Sequence, residues 1–130
     1  MKVAELEGPR LDYWVGKAAG LQVRLECYMN NPPRPIECWL VDGGMTPYRP
    51  SSDWAVGGLI IERVGIDLDV ARYQSDIDKT PHSWVARVEV ATDDGESFKS
   101  WYAEAKTPLL AAMRAYVMSK FGEEVEGVTK

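Results

Sequence analysis

One histidine, two cysteines and no long apolar run set the first limits on this 130-residue chain. His82 alone cannot supply a catalytic pair of histidines or a histidine-rich metal centre. Cys27, Cys38 and His82 together fall short of the four ligands a structural zinc site takes, and the cysteine interval is not one of the tight metal spacings. No segment approaches the roughly 20 apolar residues of a membrane span, and Met1-Lys2-Val3-Ala4-Glu5 opens no signal peptide. The expectation is a cytoplasmic chain without metal or cofactor, its thiols reduced. Basic residues are also in short supply. Fifteen Lys and Arg against twenty Asp and Glu leave a net charge of -5, which argues against a nucleic-acid binder, since that task needs clustered cations to displace counterions.

What is present is a core. Hydrophobic residues make up 45% of the chain and charged residues 27%, the balance of a globular protein. Residues 1–130 fit one domain, long enough to bury roughly two thirds of its unfolded surface without staples. The first element reads as a helix over residues 9–19. Pro9 suits the first helical position and Gly20 the left-handed residue after the last turn. Leu11, Trp14, Val15, Ala18 and Ala19 form one apolar stripe, and Asp12 and Arg10 fall on the wet side.

Residues 22–29 alternate, with Val23, Leu25, Cys27 and Met29 on one face, and read as a half-buried strand. Residues 36–41 form a shorter one. A hairpin centred between Pro32 and Pro33 would set Cys27 opposite Cys38, within or near disulfide range. Asp42 to Pro47 then breaks regular structure. Pro50-Ser51-Ser52-Asp53 offers capping side chains for one turn of helix at Trp54-Ala55-Val56, interrupted by Gly57-Gly58, with a second short helix over 59–64.

Asp94-Gly95 suits a two-residue turn. A hairpin centred there sets Val90 opposite Lys99, Val88 opposite Trp101, Ala86 opposite Ala103 and Trp84 opposite Ala105, and a one-residue slip would mix the faces. The last helix covers 108–121, with Thr107 as cap and Gly122 as stop. Its stripe is Leu109, Leu110, Met113, Tyr116, Val117 and Phe121, with Arg114 toward solvent. The acidic tail 123–130 is expected to fray. The sum is an α+β fold: an antiparallel β-sheet packed against the N-terminal and C-terminal helices, with a short helical insertion between.

Three segments carry a resemblance: Leu11-Asp12-Tyr13-Trp14-Val15 on to Ala18-Ala19-Gly20; Tyr48 through Ser52-Asp53-Trp54 with Gly57-Gly58 and Ile60-Ile61-Glu62-Arg63; and Thr107 to Arg114 with Tyr116-Val117 and Lys120-Phe121-Gly122. In this order the chain resembles the NinX-like family of small bacteriophage and prophage proteins. The resemblance implies a phage or prophage origin and a cytoplasmic accessory role, and it brings no catalytic residues with it.

The middle segment holds the candidate site. Tyr48, Trp54 and Arg63 are residue types enriched at binding hot spots, and Asp53 and Glu62 flank them. A core Trp54, a capping Asp53 and a surface Glu62-Arg63 pair would explain the same residues structurally. His82 reads as a surface histidine. Asp67/Asp69 and Asp76/Asp78 could hold a cation, but counting from Asp76 the EF-hand glycine position holds Pro81 and the bidentate glutamate position Arg87. Gly43-Gly44 and Gly57-Gly58 complete no phosphate-binding loop. The leading expectation is therefore a non-enzymatic module that binds a host or phage protein through residues 48–63. The alternatives are an acidic inhibitor of a host nucleic-acid enzyme, for which the charge is modest and dispersed, and an enzyme using Asp53 and Glu62 in one cleft. A double-stranded RNA-binding domain shares the element order, but the acidic balance opposes it.

Overall fold

The computed structural model describes residues 1–27, 36–41, 44–73 and 81–126. After a 3-10 turn at Val3–Glu5 come helix α1 (Gly8–Ala18), strands β1 (Val23–Cys27), β2 (Ile36–Leu40) and β3 (Thr46–Pro47), and helix α2 (Trp54–Val64). Strands β4 (Asp67–Tyr73), β5 (Pro81–Ala91) and β6 (Phe98–Ala105) lead to helix α3 (Pro108–Phe121). The fold is α+β, with the strands divided into two three-stranded antiparallel sheets, β1-β2-β3 and β4-β5-β6. One continuous sheet is thus replaced by two: α1 packs on β1 and β2, while α3 packs on β5 and β6 and against α1.

In the first sheet Leu25 faces Cys38 and Cys27 faces Ile36, so the two cysteines are not opposite each other. The register differs by two residues from one centred between Pro32 and Pro33. A two-residue shift leaves every side chain on its own face, so alternation cannot tell the two apart. The turn residues that would decide, 28–35, lie outside the described segments, as does Asp42-Gly43. β3 forms within the stretch read as irregular, pairing Trp39 with Pro47 and Leu40 with Thr46.

The second sheet includes β4, which the sequence reading did not assign. Ile66, Leu68 and Val70 do alternate with Asp67 and Asp69, but the strand is irregular, with register breaks between Val70 and Arg72 and between Arg72 and Tyr73. The β5-β6 ladder has the expected register throughout, including Val88 with Trp101 and Ala86 with Ala103. Its tip is longer than two residues. Thr92 N–H donates to Ser97 O (2.9 Å), and Gly95 N–H donates to Thr92 O (2.9 Å). The loop is therefore four residues, and it is symmetric about Asp94-Gly95, which is why the register survives.

Helix α3 is the centre of the molecule. Thr107 caps it by accepting from Leu110 N–H at 3.1 Å, and every residue from Ala111 to Met118 is buried. A helix enclosed on several sides has no wet stripe, which corrects two expectations. Arg114 is only 9% exposed, and Phe121 at the end of the apolar stripe is exposed. Phe121 packs edge-on against Trp14 of α1, ring centroids 5.3 Å apart. The start of the expected frayed tail is also pinned. Val3 N–H donates to Glu123 O, and Val125 N–H donates to Met1 O, each at 2.9 Å, with Val125 buried. Residues 127–130 lie outside the described segments.

Candidate partner-binding surface

Helix α2 runs unbroken through Gly57-Gly58, where two separate turns were expected. Asp53, in extended conformation, accepts from Ala55 N–H at 3.0 Å, satisfying one of the orphan donors of a helix start. Gly65, at φ 77°, ends the helix. The two glycines serve different ends. A Cβ at Gly57 would collide with the Pro50 carbonyl oxygen and stand 2.6 Å from Leu109 Cδ2, so only glycine lets the helix seat on α3. A Cβ at Gly58 would meet the Trp54 ring at an ordinary 3.6 Å.

Packing on α3 divides α2 into two faces. Gly57 and Ile60 are buried and Val56, Ile61 and Val64 half-buried, while Trp54, Ala55, Leu59, Glu62 and Arg63 are exposed. Trp54 is 57% and Leu59 58% exposed. Trp54 is thus not a core anchor, and Leu59 joins the site although the sequence reading passed it over. Its signal was positional: Trp54, Ala55, Gly58, Leu59 and Glu62 fall on one helical face.

The loop that enters α2 is held from beneath. Tyr48 is buried, so of the candidate residues it supports the surface and does not line it. Asp12 of α1, expected in solvent, is 2% exposed and accepts from Ser51 N–H at 2.8 Å. Burial raises its carboxyl from 3.8 to about 6, against the pull of the Ser51 hydroxyl and amide and the Arg49 guanidinium. Arg49 in turn lies 3.6 Å from Glu37. One hint of this burial was available: Gly16, four residues on, shares the face of Asp12, and its missing side chain admits Val23. Burial also pushes the Tyr48 hydroxyl up, helped by Tyr116, Asp12 and Cys38, while Arg63 opposes the rise.

Chemically the surface is poor in reactive groups. Asp53 and Glu62 stand at opposite ends of α2, about 13 Å apart along its axis at 1.5 Å per residue, so they do not share one cleft. Burial, with Asp12 nearby, pushes the Cys38 thiol up to about 12, far from a thiolate nucleophile. His82 is exposed at the start of β5. Asp67 is paired with Arg87, Nε to Oδ2 at 3.0 Å, and Asp69 accepts from Val70 N–H at 2.8 Å. Asp76 and Asp78 lie outside the described residues, among which no three His, Cys, Asp or Glu side chains gather. No helix among those residues is long and apolar enough to cross a membrane.

Two small antiparallel sheets, a C-terminal helix buried from Ala111 to Met118 and an outlying helix with an exposed tryptophan define a small α+β protein. The family model described as "Bacteriophage P22, NinX" matches residues 2–120, and the chain belongs to that family. The match covers the first two of the segments that carry the resemblance and the third as far as Lys120, and it runs through residues 22–46 between them. None of the curated proteins compared with the chain matches it.

Proposed function

We propose that this phage protein is a non-enzymatic accessory module that captures a host or phage protein in the cytoplasm on the outer face of α2. The observation that carries the reading is the pairing of Trp54 and Leu59, both more than half exposed, on a helix fixed from its other side by Gly57 against α3. Tryptophan and arginine are residue types enriched at hot spots, and the exposed Leu59 adds apolar area to the same helix face as Trp54. Support also comes from the rigid base: the Asp53 cap, the Asp12–Ser51 bond and the buried Tyr48 hold the surface ready, which lowers the ordering cost of binding.

The test is affinity capture from infected-host lysate, nuclease-treated, with wild type against a Trp54→Ala/Leu59→Ala variant whose circular dichroism matches wild type. A protein retained by wild type and lost by the variant is the expected result. Equal retention by both, or binding removed by nuclease, would sink the reading.

A further inference from the structure

We infer that the outer edge of β6 takes up an extended segment of another polypeptide, which joins the second sheet as a further strand. β6 ends the order β4-β5-β6, so only one of its edges is paired among the described strands. The register shows which residues offer their backbone on the other edge. Thr92 N–H donates to Ser97 O, and hydrogen-bonded pairs alternate along an antiparallel ladder. Lys99, Trp101 and Ala103 therefore bond to β5, while Phe98, Ser100, Tyr102 and Glu104 turn their N–H and C=O groups outward. Glu104 agrees with this, since its carbonyl accepts from Arg114 Nη1 at 3.3 Å. The same guanidinium binds Leu6 O and so closes that end of the edge. Phe98, Ser100 and Tyr102 have no outer backbone partner among the described residues.

A cleft of about 770 Å³ runs along this edge. Lys99, Ser100, Trp101 and Tyr102 line it in succession, and since successive side chains point to opposite faces, the cleft follows the edge and not one face. Met118 of α3, Ala4 and the bridged pair Lys2 and Glu124 complete its walls. That bridge limits the occupant: β6 of a second copy carries β5 on its other edge and would meet the wall, whereas a lone strand does not. Edge strands are commonly protected by prolines, bulges or outward lysines. β6 has no proline and no register break, and Lys99 folds its ammonium over the Trp101 ring, 4.1 Å from the centroid. Phe98 and Tyr102 are instead exposed beside the open backbone.

A row of backbone donors and acceptors is matched by another backbone. Residues of the added strand opposite Lys99 and Trp101 point into the cleft, onto Trp101 and Met118, and are therefore apolar. Those opposite Phe98, Ser100 and Tyr102 lie beside the two exposed rings, where β-branched or aromatic side chains pair well. Two lysines and two glutamates line the cleft, so net charge does not select the occupant.

The probe is a fluorescein-labelled peptide of about eight residues, an ordinary strand length, with valine and threonine alternating between terminal lysines. Titrated into the full chain, it should bind with a dissociation constant of roughly 10–100 µM, as suits a small interface. With the valines in the cleft, the threonine N–H groups face β6, so N-methylation of the threonines should abolish binding. N-methylation of the valines, whose N–H groups face away from β6, should leave it largely intact. Hydrogen exchange of the isotope-labelled chain reads the pattern residue by residue. The peptide should slow the Ser100 and Tyr102 amides and leave those of Lys99 and Trp101, already bonded to β5, unchanged. Ser100→Pro removes one outward N–H without touching the β5 ladder, a place where an edge strand tolerates proline, and should weaken binding about tenfold.

No binding at about 1 mM peptide, equal binding of the threonine-methylated peptide, or protection that does not alternate along β6 would each overturn the inference, whether or not the proline variant folds. A chain that doubles its mass in sedimentation and protects the same amides without peptide would assign the edge to a second copy and overturn it too. The inference does not rest on α2: failure of capture through Trp54 and Leu59 removes that reading and leaves this one standing, and the reverse holds as well.

Discussion

Asp12 and Ser51 stand 39 positions apart in sequence and 2.8 Å apart in space. Their bond ties the middle of α1 to the residues that lead into α2. The Asp12 carboxyl is raised from 3.8 to about 6 by burial, so the folded state binds this proton more tightly than the unfolded state does. The sign follows: the proton's stabilisation is full below pH 4 and is lost as pH rises to about 6 and beyond. At about 1.4 kcal/mol per pH unit the loss reaches roughly 2–3 kcal/mol. Urea unfolding at pH 4.5 and 7.5 should show this loss in wild type relative to Asp12→Asn, whose amide oxygen can still accept from Ser51. Parallel pH profiles for the two proteins would show that Asp12 does not titrate as its burial requires.

The two glycines of α2 should respond to alanine with opposite signs. Alanine is worth about 1 kcal/mol over glycine inside a helix. Gly58→Ala meets the Trp54 ring at van der Waals distance and should gain about 0.5–1 kcal/mol. Gly57→Ala drives a methyl into the Pro50 carbonyl and Leu109 and should lose about 1–3 kcal/mol despite the better propensity. Melting temperatures of the pair give the answer, and a gain for both would mean that α2 is not seated tightly on α3.

The same two residues mark how far the sequence could be read. Residues 108–121 and the β5-β6 register were legible because local signals agreed: Thr107 and Pro108 at the start, Gly122 at the end, and a turn centred on Asp94-Gly95. Gly57-Gly58 was misread as a break because the penalty for glycine in a helix is local, whereas its reason, close approach to Pro50 and Leu109, is tertiary. Asp12 and Arg114 were placed in solvent by the rule that charges stay wet, which fails where a backbone group waits as partner. Among the site residues, Asp53 as a cap and Trp54 in the first helical turn were readable, whereas the single helix that also carries Arg63 was not. Nor was it readable which face of that helix is covered, since that depends on α3.

Asp53 tests whether a residue caps or binds. Asp53→Ala removes the acceptor for Ala55 N–H and should cost about 1 kcal/mol. Asp53→Ser keeps a cap and removes the charge, and should cost only a few tenths. Stability follows from chemical denaturation and partner capture from the same preparations. If both variants capture the partner like wild type, Asp53 acts on the helix alone; loss in the serine variant assigns the carboxylate to the interface.

Arg114 lies at the centre of the buried helix and binds two separate pieces of chain. Its Nε donates to Leu6 O at 2.8 Å and its Nη1 to Glu104 O at 3.3 Å. One guanidinium thus joins the segment before α1, the end of β6 and α3. Burial holds its pKa below the ordinary value, with Glu7 opposing, but arginine stays charged at any physiological pH. Lysine cannot reproduce the fork, so Arg114→Lys should leave a buried carbonyl without its donor and cost about 1–3 kcal/mol. Arg114→Met fills similar volume without a donor or a charge. It spares the desolvation of the cation but strips both carbonyls, and should fall in the same range. Equilibrium urea unfolding of the three proteins at pH 7 decides between network and packing. A lysine variant as stable as wild type would show that charge alone suffices, and a methionine variant as stable would show that Arg114 serves through its aliphatic stem.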